Sequence, residues 1–153
     1  MPSSPAARAC RVSPKKPPEK PQHRETDVGV ETLEPYDDNN IFARILRGEI
    51  PARPVYEDDH AFAFHDINPQ APTHVLVIPK GRYVSWADFA AKAADGEIAG
   101  FVRAVGAVAR ELGIEEAGYR LLANAGPNSH QEVPHLHVHI FGGKKLGPML
   151  VTP

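Results

Sequence analysis

A chain of 153 residues with a formal net charge of -2 and 24% charged residues is long enough for one domain with a real core and too short for two ordinary ones. The near-balanced charge leaves no basic excess for a nucleic-acid partner, so any anion must be held locally. No apolar run approaches the roughly 18 residues of a membrane span or forms a signal-peptide core, and the single cysteine, Cys10, cannot close an internal disulfide, which points to a reducing, cytoplasmic compartment.

Residues 1–38 are a proline-interrupted polar stretch with few large apolar side chains, and read as a disordered tail. Arg8, Arg11, Lys15, Lys16, Lys20 and Arg24 make its first part basic, yet the prolines oppose the amphipathic helix of a transit peptide. A solvated tail is the simpler reading.

The folded domain is expected over residues 39–153. Asn40 can cap a short helix in which Ile41, Phe42, Ile45 and Leu46 form an apolar stripe, with Gly48 as its stop. Val55–Glu57 and residues 61–66 read as a hairpin around Asp58 and Asp59, with Phe62, Phe64 and Asp66 on one face. After the loop of residues 68–72, residues 73–78 make a third strand carrying His74, Leu76 and Ile78 on one face. Ser85 and Asp88 resemble a capping box over a brief helix. The apolar spacing of Ile98, Phe101, Val102, Val105, Val108, Ala109 and Leu112 predicts a long helix with Asp95 as cap and Gly113 as stop. Gly100 and Gly106 weaken that helix, which hints at close packing, including against a second subunit. Residues 119–125 are a fourth strand, and the turn-rich loop 126–132 leads into a fifth. Short connections and one inserted long helix argue for an α+β domain, an antiparallel sheet of about five strands with helices packed on it.

The fifth strand carries the chemistry. In His135-Leu136-His137-Val138-His139-Ile140-Phe141, strict alternation places three imidazoles on one face and Leu136, Val138 and Ile140 on the other. Successive rings would stand roughly 6.8 Å apart, and the outer pair roughly 13 to 14 Å, too far to share one metal ion through bonds of about 2.1 Å. A zinc site would need His74 or His130 as a further ligand, with Glu132 the one carboxylate nearby in sequence, so no metal or other cofactor is expected. Nucleophilic catalysis fits better, with a neutral imidazole attacking an anionic electrophile while flanking cationic imidazoles and loop N–H groups bind the developing charge.

This run resembles the signature of the histidine-triad (HIT) superfamily. Asn40-Ile41-Phe42, Gly48–Pro51, Phe64–Ile67, Ala71–His74, Val77–Lys80, Asn124 with Gly126, and Gly142-Gly143 followed by residues 146–150 are similar to its Hint branch, and the third histidine aligns the chain with the hydrolases of the superfamily. The resemblance implies a purine nucleotidyl hydrolase, like the nucleoside phosphoramidases, acting at the α-phosphorus. It implies His137 as nucleophile, His139 as the contact to phosphate and bridging atom, His135 as organiser, and His74 as a fourth active-site histidine. It also implies Asp66 on the ribose hydroxyls, with Phe42, Ile45, Phe64 and Ile67 around the base and Asn124, Gln131, Glu132 and Val133 at the phosphate. A homodimer is implied as well, two five-stranded sheets joining into ten through the long helix and the Tyr119 strand.

The loop departs from the animal-type pattern. Residues 127–130 replace a more glycine-rich stretch, Glu132 stands where a serine is found, and Pro134 replaces an aromatic. Glu132 is expected to offer its N–H and turn its carboxylate away. His130 reads as a phosphate contact or a solvated loop residue, His65 as structural or at the edge of the site, and His60 and His23 as without a role. Two other readings remain open: a nucleotide-binding adaptor with incidental hydrolysis, and a dinucleoside polyphosphate hydrolase.

Overall fold

The N-terminal helix, α1 (Ile41–Leu46), begins as expected at Asn40, whose Oδ1 accepts from the N–H groups of Phe42 and Ala43 at 2.9 Å each. That satisfies two of the donors every helix start leaves open. The computed structural model describes residues 35–149, so the expected tail lies outside the described residues as far as residue 34, along with Cys10 and His23.

Strands β1 (Pro54–Glu57), β2 (Ala61–His65) and β3 (Thr73–Pro79) follow, then helices α2 (Trp86–Lys92) and α3 (Asp95–Glu111), and finally β4 (Arg120–Leu122) and β5 (Val138–Gly142). They form a five-stranded sheet in the order β1-β2-β3-β5-β4, with every neighbouring pair antiparallel. Among the described residues, no helix is long and apolar enough to cross a membrane.

Two faces of this sheet do different work. On one, Ala61, Ala63, Val75, Val77, Leu136, Val138 and Ile140 pack against Phe89 of α2 and against Phe101, Val105 and Val108 of α3. On the other, Phe64, Leu76 and Ile78 meet Phe42 from α1 and leave the remaining area open. The alternation therefore buries the apolar half of the histidine segment under α3 and turns the imidazoles toward α1.

Several boundaries differ from the periodicity. β5 begins at Val138, so His135 and His137 precede the strand. Pro79 ends β3 and has no N–H for a ladder, its carbonyl is taken by the His135 ring, and Leu136 N–H bonds instead to Tyr83 O at 2.7 Å. β4 is three residues long and not seven, since the chain turns away toward Gly126 at φ +77°. Ala94, not Asp95, caps α3, and Glu97 Oε2 reaches back to the Ala94 N–H at 3.1 Å. Asp88 accepts from Val84 N–H at 2.9 Å, one residue before Ser85.

Gly100 faces the ring of His60 in the β1–β2 turn, where a methyl group would collide with it. The close packing hinted at by that glycine is thus met within the chain, and His60 has a packing role. Gly106 has open space above it.

Candidate active site

Four histidines lie together on the open face, and their hydrogen bonds fix which nitrogen of each ring carries a proton. His135 is fully buried: its Nε2 lies 2.9 Å from Pro79 O and its Nδ1 2.6 Å from Tyr36 Oη. A carbonyl can only accept, so Nε2 is the protonated nitrogen and the Tyr36 hydroxyl donates to Nδ1. Burial pushes the His135 pKa down to about 4, so the ring is neutral.

His137 Nδ1 donates to the backbone oxygen of His135 at 2.7 Å. Its proton is held on Nδ1, and Nε2 keeps a lone pair. Burial, ahead of any neighbour, lowers its pKa. Phe42 stands edge-on to this ring at 5.0 Å between centroids and shields it from α1's side.

His74 and His139 form a relay. Gln70 N–H donates to His74 Nδ1 at 3.1 Å, which requires the His74 proton on Nε2, 2.9 Å from His139 Nδ1. The His139 proton must then sit on Nε2, which is buried and has no hydrogen-bond partner among the described residues. A buried donor without an acceptor is costly, and here it belongs to the ring next to the free lone pair of His137, with 5.2 Å between ring centroids. Burial, reinforced by His137 and His74, brings the His139 pKa down to about 4; burial also lowers that of His74. The flanking imidazoles are therefore neutral donors, not the cations expected from the motif, because the face that aligns them also removes them from water.

Asp66 directs Oδ1 to the N–H of Asn68 at 2.7 Å and sets Oδ2 3.5 Å from His74 Nε2. With Ile45, Phe64 and Ile67 it lines a groove of about 620 Å³, within the size range of small-molecule sites, and Arg53 and His65 join the lining. Ile67 is 89% exposed at the lip, and Phe42 packs on Phe64 from behind at 5.6 Å.

The loop is held by Gln131. Its buried amide accepts from Gly126 N–H at 2.9 Å and donates to Val84 O at 2.6 Å and Val133 O at 2.9 Å. All of its hydrogen-bonding edges serve the backbone around it, so the side chain shapes the loop and does not reach into the cleft. Glu132 points outward, 3.2 Å from His130 Nε2, both side chains well exposed. His130 adopts φ +56° at the end of the Pro127–Ser129 turn. Val133 packs beside Phe42 and Phe64, and Asn124 is half-buried just beyond β4.

The sequence model of the HIT domain matches residues 47–146. The chain belongs to the HIT family. Over 115 residues it is 65% identical to an uncharacterized 13.2 kDa HIT-like protein of Azospirillum brasilense, covering 75% of this chain and 94% of that one. It is 42% identical over 113 residues to a protein of Escherichia coli (strain K12) named purine nucleoside phosphoramidase, covering 74% and 94% of the two chains. Among solved structures, a HIT family hydrolase from Legionella pneumophila superposes with a TM-score of 0.63 at 40% identity, covering 71% of this chain and 96% of that one. The expected HIT fold, a five-stranded antiparallel sheet with packed helices, is the one observed.

Two positions carry no signal in the sequence pattern. Tyr36 falls in the stretch whose composition reads as tail, yet its hydroxyl completes the His135 ring, Arg82 stacks over it at 5.2 Å, and Arg82 bonds Asp38 at 2.8 Å. Arg53, at the groove, belongs to no pattern. As a metal centre, the rings offer a different set from the triad: Asp66, His74 and His139 bring ligand atoms within 4.8 Å of one another. The proton that Gln70 N–H forces onto His74 Nε2 occupies the lone pair an ion would need, so ligation there requires breaking the relay.

Proposed function

We propose that this HIT protein hydrolyses purine nucleoside phosphoramidates or related nucleotidyl conjugates at the α-phosphorus, through a covalent nucleotidyl-histidine on His137. The observation that carries the reading is the pairing of a lone pair at His137 Nε2 with an unpartnered proton at His139 Nε2 in one buried cleft. In the first step His137 Nε2 bonds to phosphorus while the phosphorus–nitrogen bond breaks. Its electron pair stays on the leaving nitrogen, which takes the His139 Nε2 proton; the phosphate anion bound beside the His74–His139 pair draws a second proton onto that pair, so the donation leaves His139 a neutral imidazole. Water then attacks the nucleotidyl-histidine, its proton returns to His139, and the nucleoside monophosphate departs.

The groove with Ile45, Phe64 and Ile67 suits a purine ring, with Phe42 supporting it. Asp66 Oδ2 is the acceptor available to ribose hydroxyls. Among the described residues the N–H groups of Glu132 and Val133 have no protein acceptor, which supports the loop backbone as the phosphate cradle, with Asn124 alongside and Gln131 positioning it. The name of the Escherichia coli relative supports the same substrate class. His135 acts through His137, by fixing the backbone oxygen that orients it.

A homodimer completes the proposal. Val102 of α3 and Leu121 of β4 are 54% and 46% exposed, and with Trp86 and Tyr119 they border an apolar groove of about 510 Å³ at the free edge of the sheet. A second copy pairing edge to edge there would extend five strands to ten and cover that surface.

Incubation with adenosine 5'-phosphoramidate should release AMP, and His137→Ala should abolish that release with folding intact. A variant that kept the wild-type rate would remove His137 from its role.

A further inference from the structure

The face that carries the histidines continues past them to the other edge of the sheet. The β3–β5–β4 register sets His74, Phe141 and Arg120 side by side across three strands, with Leu76, His139 and Leu122 in the next row. Asp66, whose N–H bonds His74 O at 3.0 Å, begins the first row at the β2 side. From end to end that row reads carboxylate, imidazole, phenyl, guanidinium. Phe141 joins the two halves, 4.3 Å from the His74 ring and stacked on His139 with 2° between their planes.

A cavity stands at each end. The groove at Asp66 is the one assigned to the nucleoside. The other, about 220 Å³, is lined by Gln70, Arg120, Leu122, Phe141, Lys144 and Met149. Pro69 lines the first and Gln70 the second, so one turn of chain separates them, the same turn whose N–H holds His74. The second cavity is cationic. Arg120 donates to Gly147 O, and among the described residues neither Arg120 nor Lys144 is paired with a carboxylate.

Displacement at phosphorus sends the leaving group away from the attacking nitrogen. With the nucleoside in the Asp66 groove, the route past His139 and Phe141 ends between Arg120 and Lys144. We infer that this cavity is a leaving-group subsite that selects nucleotidyl conjugates whose leaving group ends in an anion, a carboxylate or a phosphoryl group. The inference rests on the hydrolase reading and adds the charge of the group that departs.

Three adenosine 5'-phosphoramidates of similar length test it on the full chain: those of propylamine, β-alanine and 2-aminoethylphosphonate. At low salt, kcat/KM for the two anionic conjugates should exceed that for propylamine by roughly three- to tenfold, the range of partly exposed ion pairs. That ratio should fall toward one with added salt and in Lys144→Gln, and reverse in Lys144→Glu. Arg44→Gln, a surface charge change on α1, should leave the ratio where it was. Lys144 decides the matter because Arg120 also holds the backbone at Gly147. The larger of the two anionic rates identifies carboxylate or phosphoryl as the source. A wild-type protein indifferent to leaving-group charge, or a ratio that Lys144→Glu does not move, overturns the subsite. No turnover of any of the three conjugates would instead remove the hydrolase reading and this inference with it.

Discussion

His137 donates its Nδ1 proton to the main-chain oxygen of His135 across 2.7 Å, so the residue two positions upstream determines which nitrogen of His137 keeps its lone pair. The pairing is local in sequence, but it holds because His135 is itself immobilised by Pro79 O on one nitrogen and Tyr36 Oη on the other.

Removing one of those supports has a defined consequence. Tyr36→Phe leaves the buried His135 Nδ1 without a donor, a loss of about 1–3 kcal/mol in urea-unfolding free energy. Because the residue whose ring loses its anchor also supplies the main-chain oxygen orienting His137, kcat should fall while KM stays near its wild-type value. Unchanged stability and unchanged kcat would show that the hydroxyl is idle.

Acid should unfold the protein through these rings. His135 has a folded pKa of about 4 against histidine's ordinary 6.5, so between those values the unfolded chain binds the extra proton and stability falls as pH falls. The contribution is complete above pH 6.5 and lost by about pH 4, on the order of 3 kcal/mol for this group. Denaturation midpoints measured across that window should drop; a flat profile would contradict the buried neutral state.

In the loop, neighbouring residues should behave oppositely. Gln131→Ala removes a buried amide that ties Gly126, Val84 and Val133 together. It should cost about 2 kcal/mol or more and reduce turnover. Glu132→Gln alters an exposed side chain whose ion pair with His130 is open to solvent. Its stability should stay within about 0.5 kcal/mol of wild type. Thermal melts and steady-state rates on the pair of variants test this, and equal damage from both would refute the assignment.

For the proposed dimer, Val102→Asp places a charge in the apolar groove bordered by Trp86 and Tyr119. Sedimentation should show a dimer for the wild type and a shift to monomer for the variant. A wild-type monomer at micromolar concentration would leave the groove for another occupant.

How far the residues themselves foretold this arrangement depends on the range of the interactions involved. Alternation from Leu136 to Ile140 is a local property, and it correctly assigned the core face under α3 and the histidine face opposite. Asn40 as cap and Asp66 at the end of the β2 face were legible for the same reason. The start of β5 was not, because it depends on Pro79, a residue distant in sequence whose missing N–H and occupied carbonyl end the ladder. Tyr36 was hidden by its prolines and polar neighbours, since composition averages over a window and one anchoring hydroxyl does not. The charge state of the imidazoles was misread because a motif carries no burial: packing under Phe42 and against the sheet, rather than histidine's ordinary pKa, makes them neutral. Gln131 matched a phosphate-side residue in the motif, and only its three partners disclose that it builds the loop.

The proposed hydrolysis turns on a covalent bond between His137 Nε2 and phosphorus. Rapid acid-free quenching of the protein during turnover of adenosine 5'-phosphoramidate, followed by intact-mass and peptide mass spectrometry, measures this directly. An adenylyl adduct confined to the peptide containing His137, absent from His137→Ala, is the predicted result. AMP production at the wild-type rate by His137→Ala would rule out a covalent intermediate on His137.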